Sequence, residues 1–330
     1  MLRVHYFQRR RRPNANFSLE FIFDDVRRRL RGEVDARVVT APWYSNGLSR
    51  RVAIAAHAAV QQGEINHITG DITFVAIPLR KERTVLTMLD CGSVLQSRGL
   101  KRLLLQKVWL ELPVAGSAVV TTISQQAKSE IVALTGCDPA KVVVIPVAIS
   151  ERFQLTPQEF NHECPRILAI GTAPNKNLDR LISAVEGLPC TLVIIGQLQA
   201  EHHQALLQRQ IRFENYFNLT SEAVIEQYRR SDLVSFVSTY EGFGMPILEA
   251  QAVGRPVITS NLSSMPEVAG DAACLIDPLS VSSIRSGLER VIEDKGYREQ
   301  LVARGMENVK RFDPERIARQ YLEVYRTLAR

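Results

Sequence analysis

The chain has 330 residues, 45% of them hydrophobic and 23% charged, with 41 Lys+Arg against 35 Asp+Glu. That composition excludes a disordered or fibrous chain and suits a globular protein of two domains. No apolar run approaches the roughly 20 residues of a membrane span, and MLRVHYFQRRRRP reverses the charged start and long apolar stretch of a secretory leader, so a cytoplasmic protein is expected.

Cys91, Cys137, Cys164, Cys190 and Cys274 stand singly, with no Cys-x-x-Cys pair. Neither a zinc site nor a disulfide framework is suggested. Residues 1–150 carry 21 Lys+Arg against 12 Asp+Glu, whereas residues 151–330 carry 20 against 23. A basic first half suits an anionic partner, whether nucleic acid, acidic lipid or phosphorylated substrate, or is an ordinary solvated surface.

In chain order, residues 1–150 alternate strand-like runs with helical patterns. The runs are RVHYF, ARVVT, EINHI, TVLTML, AVVTTI and KVVVIP. Between the first two, Leu19, Ile22, Phe23, Val26 and Leu30 recur at helical spacing and give one face to bury. Ser124 is placed to cap SQQAKSEIVAL, and Gly136 to end it. Residues 151–165, polar and carrying two prolines, read as a linker. Residues 166–310 then repeat the alternation with RILAIG, TLVIIG, DLVSFVS, RPVITS and ACLID. Continuous apolar strands separated by helices imply parallel sheets covered on both faces, hence an α/β chain of two Rossmann-like, doubly wound domains. Residues 311–330 form an amphipathic helix.

Ligands of open α/β sheets bind beyond the carboxyl ends of the strands. There the second half reads STYEGFGMPILEA. Pro246 suits a first helical turn, Gly242 and Gly244 let a ligand approach the backbone, and the exposed N–H groups suit a phosphate or sugar hydroxyls. Glu241 stands at the strand end and Glu249 in the first turn of the helix; acidic residues near a helix start are the competing structural explanation. The spacing excludes a Gly-x-Gly-x-x-Gly dinucleotide fingerprint. In IGTAPNKNL, Gly171 ends a strand, and Lys176 is either a surface lysine or a cation for a pyrophosphate. Ser264 and Glu267 have capping-box spacing.

STYEGFGMPILEA, with AVGRPVITSNLSSMPEVAGDAACLIDP and GTAPNKNLDRLISAV, resembles the retaining glycosyltransferases of family four, which have the GT-B fold. The resemblance implies two domains facing each other across a cleft, with acceptor binding on residues 1–150 and nucleotide-sugar binding on residues 166–310. It implies that Glu241 approaches the donor sugar, Glu249 binds the ribose hydroxyls, and Gly242, Phe243 and Gly244 offer backbone N–H groups to sugar and diphosphate. The final helix of that family crosses back to the first domain. Asn175 and Thr172 occupy positions where the family often has arginine.

Related enzymes commonly have a His-Asp pair facing the donor sugar; here Leu89 precedes Asp90, and Asp90 remains the candidate. His67, beside Asp71 in NHITGD, is a further candidate, with a structural histidine as the competing reading. Arg9 to Arg12, Arg12 included, could meet the diphosphate, an anionic acceptor or acidic lipid, or form a solvated loop. The chain has no Asp-x-Asp, so neither metal nor other cofactor is expected. Partners implied are a nucleotide sugar, a glycan or lipid-linked acceptor and a peripheral anionic membrane surface, not nucleic acid. A hexosyltransferase acting with retention in polysaccharide biosynthesis is the leading expectation. A donor-binding partner subunit without turnover, or a nucleotide-sugar epimerase, is the alternative.

Overall fold

The computed structural model describes residues 1–10 and 18–330. The chain divides into two compact units, Met1–Ala148 with Pro314–Arg330, and Ile149–Asp313.

The first unit is built on β1 (Leu2–Gln8), β2 (Val34–Thr40), β3 (Ile65–Ile68), β4 (Thr84–Thr87), β5 (Val119–Thr122) and β6 (Val142–Val144). They form one parallel sheet in the order β2-β1-β3-β4-β5-β6. The Ser18–Arg29 helix buries Phe23 and Val26, and Leu30 follows them into the core. Ser124 caps the helix after β5, Gln125–Thr135, by accepting from the Ala127 amide, and Gly136 ends it in the left-handed conformation. The last helix, Pro314–Ala329, buries Ile317, Tyr321, Leu322 and Tyr325 among Val4, Tyr6, Phe23 and Ile65, so it belongs to the first unit's core.

The second unit carries β7 (Arg166–Ile170), β8 (Thr191–Ile195), β9 (Phe213–Tyr216), β10 (Leu233–Phe236), β11 (Val257–Ser260) and β12 (Cys274–Ile276). Again all pairings are parallel, in the order β12-β11-β10-β7-β8-β9. The strand order reverses between β7 and β10, and such a switch point opens a crevice at the carboxyl ends. β9 is an edge strand that the apolar runs do not announce, because FENY is half-polar and only partly buried.

The segment read as a linker lies along the second unit. Asp232, 4% exposed, accepts from the backbone N–H of Asn161 and from Gln158 and Arg166. Arg255 donates to the Thr156 and Arg229 carbonyls and to Gln158. These bonds satisfy buried polar groups that a free linker would leave to water.

Candidate donor site at the β7–β10 switch point

Gly171, just past β7, has φ 89°, and its N–H donates to the Ile195 carbonyl at 2.7 Å. A Cβ there would stand 2.8 Å from Lys176 Cε, so only glycine lets the lysine stem lie against this turn. The chain then makes a 3-10 turn at Pro174–Lys176, and Asn177, also left-handed at φ 60°, leads into the helix Leu178–Val185. Buried Asn177 donates to the Val237 carbonyl at 3.0 Å and the Pro278 carbonyl at 2.7 Å. It ties the β7 loop to the segments following β10 and β12.

Lys176 is thereby aimed across the switch point. Its Nζ lies 2.7 Å from Glu241 Oε1 and 4.8 Å from the centre of the Phe236 ring. Asn175 donates to the same Glu241 oxygen at 3.2 Å and to the Tyr240 carbonyl at 3.0 Å. Two donors from the β7 loop therefore converge on one carboxylate from the β10 loop.

Glu241 opens the glycine turn, which two serines hold from beneath. Ser263 Oγ donates to the Glu241 carbonyl at 2.7 Å, and Ser264 Oγ bonds the carbonyls of Glu241 and Phe243 at 2.8 and 2.6 Å. Ser264 is not the capping-box residue its spacing suggests: it makes no side-chain cap on Met265–Ala269, because its hydroxyl is committed to this turn. Of the turn glycines, Gly244 is the one with positive φ, 118°, and it starts the helix Met245–Ala252. Gly242 is half-buried. Phe243 turns its ring inward, edge-on to Phe312 at 5.8 Å, so it can offer only backbone to a ligand.

Glu249 is the fifth residue of that helix, with no acidic residue in the first turn, so a simple preference for the helix start does not explain it. The hydroxyl of fully buried Tyr228 donates to Glu249 Oε2. Burial raises the carboxyl's pKa, while the Tyr228 hydrogen bond and the charge of Lys176 pull it back down. Tyr228, Asn177, Ser263 and Ser264 carry no sequence motif that marks them as site residues; their roles come from tertiary contacts.

In the first unit the candidates separate. Asp90 is exposed beyond β4, and its carboxylate accepts the Gly92 amide at 2.8 Å in a local turn. His67 is in the core instead of at an accessible strand end. It has no exposed surface, and its ring nitrogens lie 2.7 Å from both Tyr325 Oη and Thr87 Oγ1. Burial lowers its pKa to about 3, which favours a neutral ring. Arg9 pairs with buried Glu20 at 3.0 Å, and Arg10 donates to the Pro42 carbonyl. Arg11 and Arg12 lie outside the described residues.

Parallel doubly wound units with a polar cluster at a β7–β10 switch are Rossmann-like α/β architecture. Residues 151–308 match the family Glycosyl transferases group 1. Among curated proteins, the chain is 28% identical over 283 residues to the O-antigen chain mannosyltransferase B of Escherichia coli, covering 76% of this chain and 72% of that one. The serotype-specific mannosyltransferase WbdA of Escherichia coli is 28% identical over 219 residues, but the chain spans only 27% of its length. Among solved structures, Anabaena HepE in complex with UDP and glucose aligns with a TM-score of 0.80 at 16% identity, covering 99% of this chain and 100% of that one. Sucrose-phosphate synthase from Thermosynechococcus elongatus aligns at 0.79 and 17%, with 99% of each chain covered. Residues 151–308 thus belong with the group 1 glycosyl transferases, and the chain as a whole has the GT-B fold.

Proposed function

We propose that this glycosyltransferase takes a hexose-type sugar from a nucleotide-diphosphate donor held on the second unit. It passes the sugar, with retention at the anomeric carbon, to a glycan or lipid-linked acceptor. The reading rests on the Lys176–Glu241 pair, 2.7 Å apart at the β7–β10 switch point. A diphosphate beside Lys176 would compete with Glu241 for its ammonium and leave Glu241 free to turn toward the sugar. The backbone of Gly242, Phe243 and Gly244 would share the leaving-group charge. Glu249, held by Tyr228, would accept from the ribose hydroxyls. The lysine and the turn would then carry the charge without a metal ion.

Mannosyltransferases among the relatives make nucleotide-linked mannose the first donor to test. An acceptor on a lipid carrier would set the reaction at the cytoplasmic face of a membrane, with Asp90 on the acceptor side. Incubation with a panel of UDP, GDP, ADP and dTDP sugars should release a nucleoside diphosphate from one donor, equally with and without EDTA. The product should keep the donor's anomeric configuration by NMR. Donor binding without release or transfer across plausible acceptors would instead support a partner subunit, the reading that Leu89 before Asp90 favours.

A further inference from the structure

The helix Gly99–Leu105 runs on through a π-helical stretch, Gln106–Glu111, into Leu112–Ala115. Its first part has no buried residue. Leu100, Leu103 and Leu104 are 82%, 64% and 64% exposed. Spaced three and four apart, they share one face of the helix, and Lys101 and Arg102 fall on the flank and the far side. From Leu95 to Lys107 the sequence holds Arg98, Lys101, Arg102 and Lys107 and no acidic residue. A second apolar stripe, Leu48 and Val52 on Leu48–Ala59, is 77% and 61% exposed. The Arg51 guanidinium, 4.4 Å above the Trp109 ring, joins that helix to the first.

Three leucines facing water on one helix, with cations and no acidic residue around them, would be costly as ordinary surface. A second copy is a poor occupant, since two such faces would bring like charges together, and protein interfaces are depleted of lysine. An anionic bilayer meets both halves of the pattern, taking leucine side chains at the headgroup–acyl boundary while Lys and Arg stems reach the phosphates.

We propose that Leu100, Leu103 and Leu104 dock this chain peripherally on an anionic phospholipid surface, with Arg98, at the start of the helix, and Lys101, on its flank, as the headgroup contacts. The inference deepens the proposed function, since a lipid-linked acceptor would lie at that surface, but its test is separate. The intact chain is sedimented with vesicles of phosphatidylcholine, with or without phosphatidylglycerol. Binding should require the anionic lipid and weaken with salt. The double variant Leu103→Glu with Leu104→Glu should lower the partition by about tenfold or more, while thermal stabilisation by the donor's nucleoside diphosphate stays unchanged. Binding to neither vesicle, equal binding by the double variant, or a dimer in lipid-free solution that the variant dissolves would each overturn the proposal. If vesicle binding holds while every donor fails, the function reading falls and the docking surface stands.

Discussion

The hydroxyl of Tyr228 donates to Glu249 Oε2 from a side chain with no solvent exposure, edge-on to Phe153 at 5.5 Å between ring centres. A buried carboxyl keeps its orientation and its charge only through such partners. Tyr228→Phe removes the donor without removing the ring. Glu249 should then titrate still higher, and affinity for the nucleotide sugar should fall about tenfold, roughly 1.4 kcal/mol. Calorimetric binding at two pH values checks this; an unchanged dissociation constant at both would show that Tyr228 only fills space.

The Gly171 turn tests the lysine's placement. An alanine there would adopt φ near 89° and press its Cβ to 2.8 Å from Lys176 Cε. Strain of this kind costs about 1 to 3 kcal/mol, and the lysine must move. Gly171→Ala should therefore weaken both stability and donor binding, whereas Lys176→Ala should weaken binding and turnover with little loss of stability. Urea unfolding and nucleotide titration of the two variants separate these outcomes. A Gly171→Ala chain with native donor affinity would mean that the position of the lysine stem does not matter.

What could be read beforehand follows from how local each signal is. Alternating apolar strands and helices are legible because the central strands bury both their faces, and the caps at Ser124 and Gly136 are legible because they depend on neighbours a few residues away. The glycines and glutamates around Gly242 were legible for the same reason. β9 was not, since an edge strand with one half-polar face lacks the apolar run. Tyr228 lies 21 residues before its partner Glu249, and Asn177 bonds a carbonyl 101 residues away. Ser264 had a plausible local partner in Glu267, yet its hydroxyl bonds two carbonyls in the glycine turn. Long-range pairings of this kind are set by topology, which spacing along one chain does not encode.

Asp232 should matter for stability alone. Its carboxylate takes the amides of Asn161 and Arg166 at 3.0 and 2.7 Å, fastening residues 155–165 to the base of the second sheet. Asp232→Ala leaves those part-buried N–H groups without their acceptor, a loss of about 1 to 2 kcal/mol. Donor binding at the other end of the strands should persist under native conditions. A fall in nucleotide affinity in a fully folded Asp232→Ala chain would show that this segment reaches the site after all.

His67 gives the first unit a pH dependence whose sign is fixed by its burial. The folded ring titrates at about 3 instead of 6.5, because burial among Tyr6, Phe23, Tyr321 and Tyr325 disfavours the cation. An unfolded chain takes up a proton near 6.5 that the native ring refuses. Between about 3 and 6.5 the unfolded state therefore holds more protons, and stability rises with pH by up to about 1.4 kcal/mol per unit. Above 6.5 this contribution is complete; as pH falls below it, the contribution drains away. Carboxylates also titrate in the lower part of that window, so the comparison belongs between pH 5 and 7. Urea midpoints there should climb steeply for the wild-type chain and more shallowly for His67→Gln, whose amide can still bond Tyr325 or Thr87 but carries no titrating ring. Equal slopes in the two chains would assign the pH dependence to other groups and leave His67 with a packing role only.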